Sequence, residues 1–156
     1  MNFFLPGEDL MIAQTIQLAL TPVFVLVAIG SIISTLSQRL GRVVDRSRDL
    51  QALHGKTEGE EHDMIVRQMR MSDERIALIG RALLQLVLSA LSIGVTVVLL
   101  FVQEFTQIGL NPFAAATFIV AIALLMWALV LFLRETRLAA ATLRIPASYL
   151  ERERKL

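Results

Sequence analysis

Three windows of the chain contain no Asp, Glu, Lys, Arg or His: Ile12 to Leu36, Ala82 to Val102 and Pro112 to Leu133. A helix rises 1.5 Å per residue, so each window reaches the roughly 20 residues needed to cross a hydrocarbon core about 30 Å thick. The pattern predicts three transmembrane helices. A buried helix of a soluble bundle is usually shorter and keeps charges on an outer face, and three such windows would not recur in so small a chain.

The polar stretch between the first two windows has a different periodicity. Leu36, Leu40, Val43, Ser47 and Leu50 fall at alternating steps of four and three, and Ile65, Met69, Ser72, Ile76 and Ile79 follow the same rule. Two such stripes of coiled-coil spacing can close into an antiparallel helical hairpin. His54 to Asp63, with Gly55, Gly59 and a cluster of acids, is its expected tip. No proline separates either arm from its neighbouring window, so both transmembrane helices are expected to continue into the hairpin. Beyond Leu133, helix-forming residues run to Pro146, and that segment is expected to pack on the hairpin or lie on the membrane surface. The fold class is therefore an all-α membrane protein with three transmembrane helices, the first two extended into a cytoplasmic antiparallel helical hairpin.

Charge supplies the orientation. Across 156 residues the hydrophobic fraction is 55%, the mean hydropathy +0.63 and the charged fraction only 19%, sharply segregated. Every Lys and Arg lies between Arg39 and Arg81 or from Arg134 onward, while the N-terminal tail and the 103–111 loop carry only Glu8, Asp9 and Glu104. An Arg at the bilayer centre costs about 2.5 to 3.5 kcal/mol on insertion scales, so the basic segments are expected to stay in the cytoplasm. The expected organisation is a periplasmic tail at 1–11, spans at 12–36, 82–102 and 112–133, a cytoplasmic hairpin at 37–81, a periplasmic loop at 103–111 and a cytoplasmic C-terminal segment at 134–156. The N-terminus lacks the basic region and cleavage site of a signal peptide. The absence of cysteine excludes disulfides, thiolate metal sites and cysteine nucleophiles.

The Arg-x-x-Arg-Val-Val-Asp-Arg-x-Arg stretch from Arg39 to Arg48 and the Phe-Leu-Arg-Glu run at Phe132 to Glu135, within roughly Ile16 to Ile145, resemble the bacterial domain-of-unknown-function family number 2721. The resemblance implies a three-span bacterial membrane protein. It brings no activity or catalytic residues to transfer.

Two polar stripes run through the apolar windows. Gln14, Gln17, Thr21, Ser31, Thr35 and Gln38 share one face of the first span, completed by Phe24 and Ala28, and Gln85, Ser89, Ser92, Thr96 and Gln103 share a face of the second. Such a face either bonds to a packed helix, typically at about 0.6 kcal/mol per bond, or lines a conduit. The pairs Gly30 with Ser34 and Ala90 with Gly94 have the small-residue spacing of close helix packing. The first stripe is rotated roughly 100° or more from the apolar seam of the arm that continues it, so it does not face span two squarely. With only Thr117 to offer, the third span is expected to be the most lipid-facing.

Below the membrane, Arg39, Arg42, Arg46 and Arg48 could contact anionic lipid headgroups. The competing reading is a lattice of pairs on adjacent turns, Arg42 with Asp45, Asp45 with Arg48 and Arg46 with Asp49. His54 and His62 lie among acids at the tip but lack metal-ligand spacing, and Gly55 to Thr57 lacks the first glycine and the strand of a phosphate-binding loop. Pro22 is expected to bend the first span, and Trp127 lies inside the third span, where it packs or faces lipid. No metal, cofactor or nucleic acid is expected. The reading is a non-enzymatic, self-associating interaction or assembly module in the inner membrane, whose partners are the lipid bilayer, further copies of itself and a cytoplasmic protein at the hairpin. The alternative is an oligomeric channel lined by the span-one stripe.

Overall fold

The computed structural model describes residues 6–106 and 109–142, with side chains at residues 17, 20–106 and 109–140. Three helices fill this range: α1 (Pro6–His54), α2 (Gly59–Thr106) and α3 (Asn111–Thr142). At 1.5 Å per residue, α1 and α2 are each more than about 70 Å long, over twice the hydrocarbon thickness. Each helix contains a segment apolar and long enough to span a membrane. The first two run unbroken from these segments into a helical hairpin, α1 passing through Pro22 without interruption.

The packing follows a seven-residue step. Among the described side chains of α1, Pro22, Ile29, Leu36, Val43 and Leu50 are buried. On α2, Ile65, Ser72, Ile79, Leu86 and Ile93 form one buried series and Ala82, Ser89 and Thr96 a second. On α3 the series is Ala114, Ala121, Ala128 and Glu135. Seven residues are nearly two helical turns, so each series makes a stripe along one side of its helix. With two stripes, α2 serves two neighbours: the first faces α1 and the second faces α3. The register is fixed by Arg46 Nη2 donating to Gln68 Oε1 at 3.0 Å across the hairpin and by Ser89 Oγ donating to the Ala121 carbonyl at 2.7 Å.

Leu36, Val43 and Leu50 on one arm, and Ile65, Ser72 and Ile79 on the other, form the hairpin seam, with Leu40, Ser47, Met69 and Ile76 half-buried beside them. The turn is tighter than the sequence suggests. Lys56 N donates to the Leu53 carbonyl at 2.9 Å, and α2 begins at Gly59, whose φ of 65° suits glycine. Glu60 and Glu61 therefore belong to the first turn of α2, where the helix dipole favours negative charge.

The expectation that α3 is the most lipid-facing helix does not hold. The apolar windows of α1 and α3 are buried to the same extent, 17%, against 22% for α2. The reason is the alanine series of α3, which lets its backbone approach α2 without large side chains; Trp127, Ile119 and Phe113 point outward. Beyond Leu133, α3 continues to Thr142 with Glu135 and Ala139 buried, so it packs on the root of the hairpin. The segment from 143 to Pro146 and the tail lie outside the described residues.

Leu50→Asp would place a carboxylate in the far part of the seam, where the native side chain is 2% exposed. Separation of the arms is expected, measured as cleavage of the 51–64 region at least several-fold faster than in the parent protein. An unchanged rate would mean that the arms do not pair as described. Val43→Asp is a poorer test, because Val43 lies among Arg39, Arg42 and Arg46 and a carboxylate there would gain partners.

Candidate functional site

The stripes that build the bundle also bring a carboxylate into its interior. On α3, the step through Ala114, Ala121 and Ala128 reaches Glu135, two residues past the charge-free window, and its side chain is fully buried. On α2, the stripe that faces α3 leads by the same step from Thr96, Ser89 and Ala82 back to Arg75. On α1, Arg39 lies one turn beyond Leu36.

These three residues form one cluster. Arg75 donates to Glu135 Oε1 from both Nε, at 3.1 Å, and Nη2, at 2.9 Å. Arg39 Nη2 stands 2.9 Å from Oε2 as an ion pair, though it is not aligned as a hydrogen bond. The two guanidinium-bearing side chains are 24% and 23% exposed, so water reaches them but not the carboxylate. Arg39 also stacks over Phe132, its Cζ 5.3 Å from the ring centre, within cation–π range. The cluster thus ties all three helices together just outside the apolar layer.

Beside it is a cavity of about 260 Å³, lined by Arg39, Arg42, Arg46, Arg75 and Ser72 over Val43 and Ala139. Arg48 is exposed and does not line it. The expected charge lattice does not close: among the described residues no ion pair joins Arg42 to Asp45, Asp45 to Arg48 or Arg46 to Asp49. The arginines turn toward the cavity and across to α2 and α3.

The two polar stripes have different fates. On α2, Ser89 is bonded to α3 as described, and Thr96 Oγ1 lies 2.9 Å from Thr117 Oγ1 while also donating to the Ser92 carbonyl in the alternative hydroxyl orientation. Ser92 donates to the Leu88 carbonyl, and Gln85 is half-buried. On α1, Gln17, Thr21, Ser31, Thr35 and Gln38 are all exposed, and Phe24 is 69% exposed beside them. Thr35 bonds only to its own helix, at the Ser31 carbonyl. Gln14 has no described side chain. Gly30 and Ser34 are exposed too, and a methyl group at Gly30 would meet nothing within 4 Å.

At the opposite end of the bundle, a mainly apolar cavity of about 440 Å³ lies between Thr21 and Pro22 of α1, Thr96 and Leu100 of α2, and Ala114 and Phe118 of α3. At the hairpin turn the His54 and His62 rings meet, 4.5 Å between centres, but among the described residues no group of three or more His, Asp or Glu could hold a metal.

Residues 19–145 match the family DUF2721, described as a protein of unknown function. The chain belongs to the DUF2721 family. The two stretches that carry the resemblance in the sequence, 39–48 and 132–135, meet here through Arg39, Phe132 and Glu135. For this DUF2721 chain, no curated protein and no solved structure gave a significant match.

Proposed function

We propose that this protein is a non-catalytic assembly module of the bacterial cytoplasmic membrane that self-associates through α1. Its N-terminus lies outside, and the hairpin and C-terminal segment lie in the cytoplasm, where the hairpin offers a surface to a protein partner. The observation that carries the reading is the contrast between the two stripes: Ser89 and Thr96 of the one on α2 bond to α3, whereas the one on α1 is exposed. In hydrocarbon such groups favour a neighbouring helix, and a second copy of α1 supplies both the polar partners and a small-residue surface at Gly30 and Ser34. The one-sided distribution of Lys and Arg supports the orientation. Glu135, the ionisable side chain most deeply buried among the described residues, is engaged by two arginines, an arrangement suited to holding helices together.

Single cysteines test this in a chain that has none. They are placed at Gln17, Thr21, Ser31 and Thr35, with Leu26 and Ile33, which pack on the core, as controls. Thiol reagents attack the thiolate, which forms in water and not in hydrocarbon. Oxidative crosslinking between copies is expected at Ser31 and Thr35, with Thr21 and Ser31 inert to a charged reagent. Labelling at all four stripe positions, with altered ion flux in liposomes, would instead establish a conduit; neither crosslinks nor labelling would leave α1 facing lipid alone. A cysteine at Gly55 should label only after the membrane is permeabilised, and labelling in intact spheroplasts would reverse the orientation.

A further inference from the structure

We infer that the arginine-lined cavity at the root of the hairpin binds a phosphate group at the level of the lipid headgroups. It does not rest on the α1 interface: Arg42 continues the face of Thr21 and Thr35 by a seven-residue step, but it lies past the charge-free window, among the cavity arginines. The charge balance is the first reason. Arg39, Arg42, Arg46 and Arg75 line the cavity, and Glu135 is the only carboxylate engaged with any of them among the described residues, leaving an excess of three positive charges. Among those residues Arg42 has no carboxylate partner, and Arg46 spends one nitrogen on the neutral amide of Gln68.

Preorganisation is the second reason. Glu135 holds the Arg75 guanidinium by two hydrogen bonds and draws Arg39 to its other oxygen, and Phe132 supports Arg39 from one side. Each guanidinium has five N–H donors, so donors remain free on both after these contacts. A planar fork of donors suits phosphate oxygens, and fixing it beforehand reduces the entropy lost on binding. The Ser72 hydroxyl, donating to the Gln68 carbonyl, can accept from a protonated phosphate oxygen or a headgroup hydroxyl.

Depth is the third reason. Arg39 and Arg42 lie three and six residues past Leu36, the end of the charge-free window, which is roughly 5 and 9 Å along the helix axis. The polar layer of each leaflet is about 5 to 8 Å thick, so the mouth of the cavity is at the depth of lipid phosphates.

The test uses the full-length protein in a neutral detergent, with lipid retention read by native mass spectrometry. Probes are phosphatidylglycerol, phosphatidylcholine and inorganic phosphate, the last also scored by thermal shift without lipid. Phosphatidylglycerol is expected to bind at least about tenfold more tightly than phosphatidylcholine. Arg42→Gln with Arg46→Gln should abolish that preference, while Arg48→Gln, outside the cavity, should keep it. These variants leave the Arg39–Glu135–Arg75 cluster intact, and an unchanged Tm without ligand checks their folding. Lipid binding without stabilisation by inorganic phosphate assigns the site to headgroups; stabilisation by inorganic phosphate assigns it to a free anion as well. Equal retention of the two lipids with no effect of phosphate, or equal loss in the Arg48 variant, would overturn the inference.

Discussion

Glu135→Ala is expected to destabilise the three-helix bundle by about 3 to 5 kcal/mol, the usual penalty for removing one partner from a buried ionic cluster. The substitution deletes the carboxylate that separates Arg39 from Arg75 and leaves two guanidinium groups facing each other across a gap. Since both are about a quarter exposed, water entering the gap should keep the loss toward the lower end of that range. Glu135→Gln keeps the volume and one acceptor and should lose less. A triple replacement, Glu135→Leu with Arg39→Met and Arg75→Met, removes all three charges together and should recover most of the stability, because the cost arises from unpaired charge and not from missing volume. Unfolding in mixed micelles of rising denaturing-detergent fraction measures the series. If Glu135→Ala behaves like the parent protein, the cluster does not hold the helices.

Most of the bundle was legible in the sequence because its signals are local. Three windows without charge specify three membrane-spanning segments whatever their neighbours do, and the absence of proline after Leu36 and before Ala82 lets both helices run on into the hairpin. The seam residues followed from spacing alone. Glu135 was harder, because its partners are 60 and 96 residues away, while the cations next to it in sequence, Arg134 and Arg137, are exposed and point elsewhere. A signal was nevertheless present. Ala114, Ala121 and Ala128 recur every seven residues, and one more step gives Glu135, which predicts a carboxylate on the packed face and hence a need for buried cations. The misjudgement of α3 has the same origin: a search for polar stripes passes over alanine, although in lipid small residues define a packing face as well as hydroxyls do. The arginines were identified individually, but nearest-neighbour pairing along α1 was the wrong partner choice, since α2 and α3 offer Gln68 and Glu135 across the bundle.

The alanine face makes the second large prediction. Ala121 and Ala128 are 0% and 1% exposed, with fully buried Ala82 and Ser89 on α2 at the same levels, so there is no space for three further carbons at either position. Ala121→Leu and Ala128→Leu are each expected to cost about 1 to 3 kcal/mol by overpacking, and Ala121→Leu should also weaken the 2.7 Å bond from Ser89 to its carbonyl. Ala116→Leu and Ala123→Leu, on the exposed side of the same helix, should be nearly neutral. Ser89→Ala separates the contributions: it removes the hydrogen bond without crowding and should lose only about 0.6 kcal/mol. The double variant Ala121→Leu, Ala128→Leu should push α3 off α2 along its apolar length and strain the approach of Glu135 to Arg75, one further step along the same stripe. Detergent-induced unfolding should then show α3 released before the α1–α2 hairpin, read as early cleavage near 109–111 while the arms stay protected. Equal effects from the inward and outward leucines would mean that α3 is not packed through its alanines.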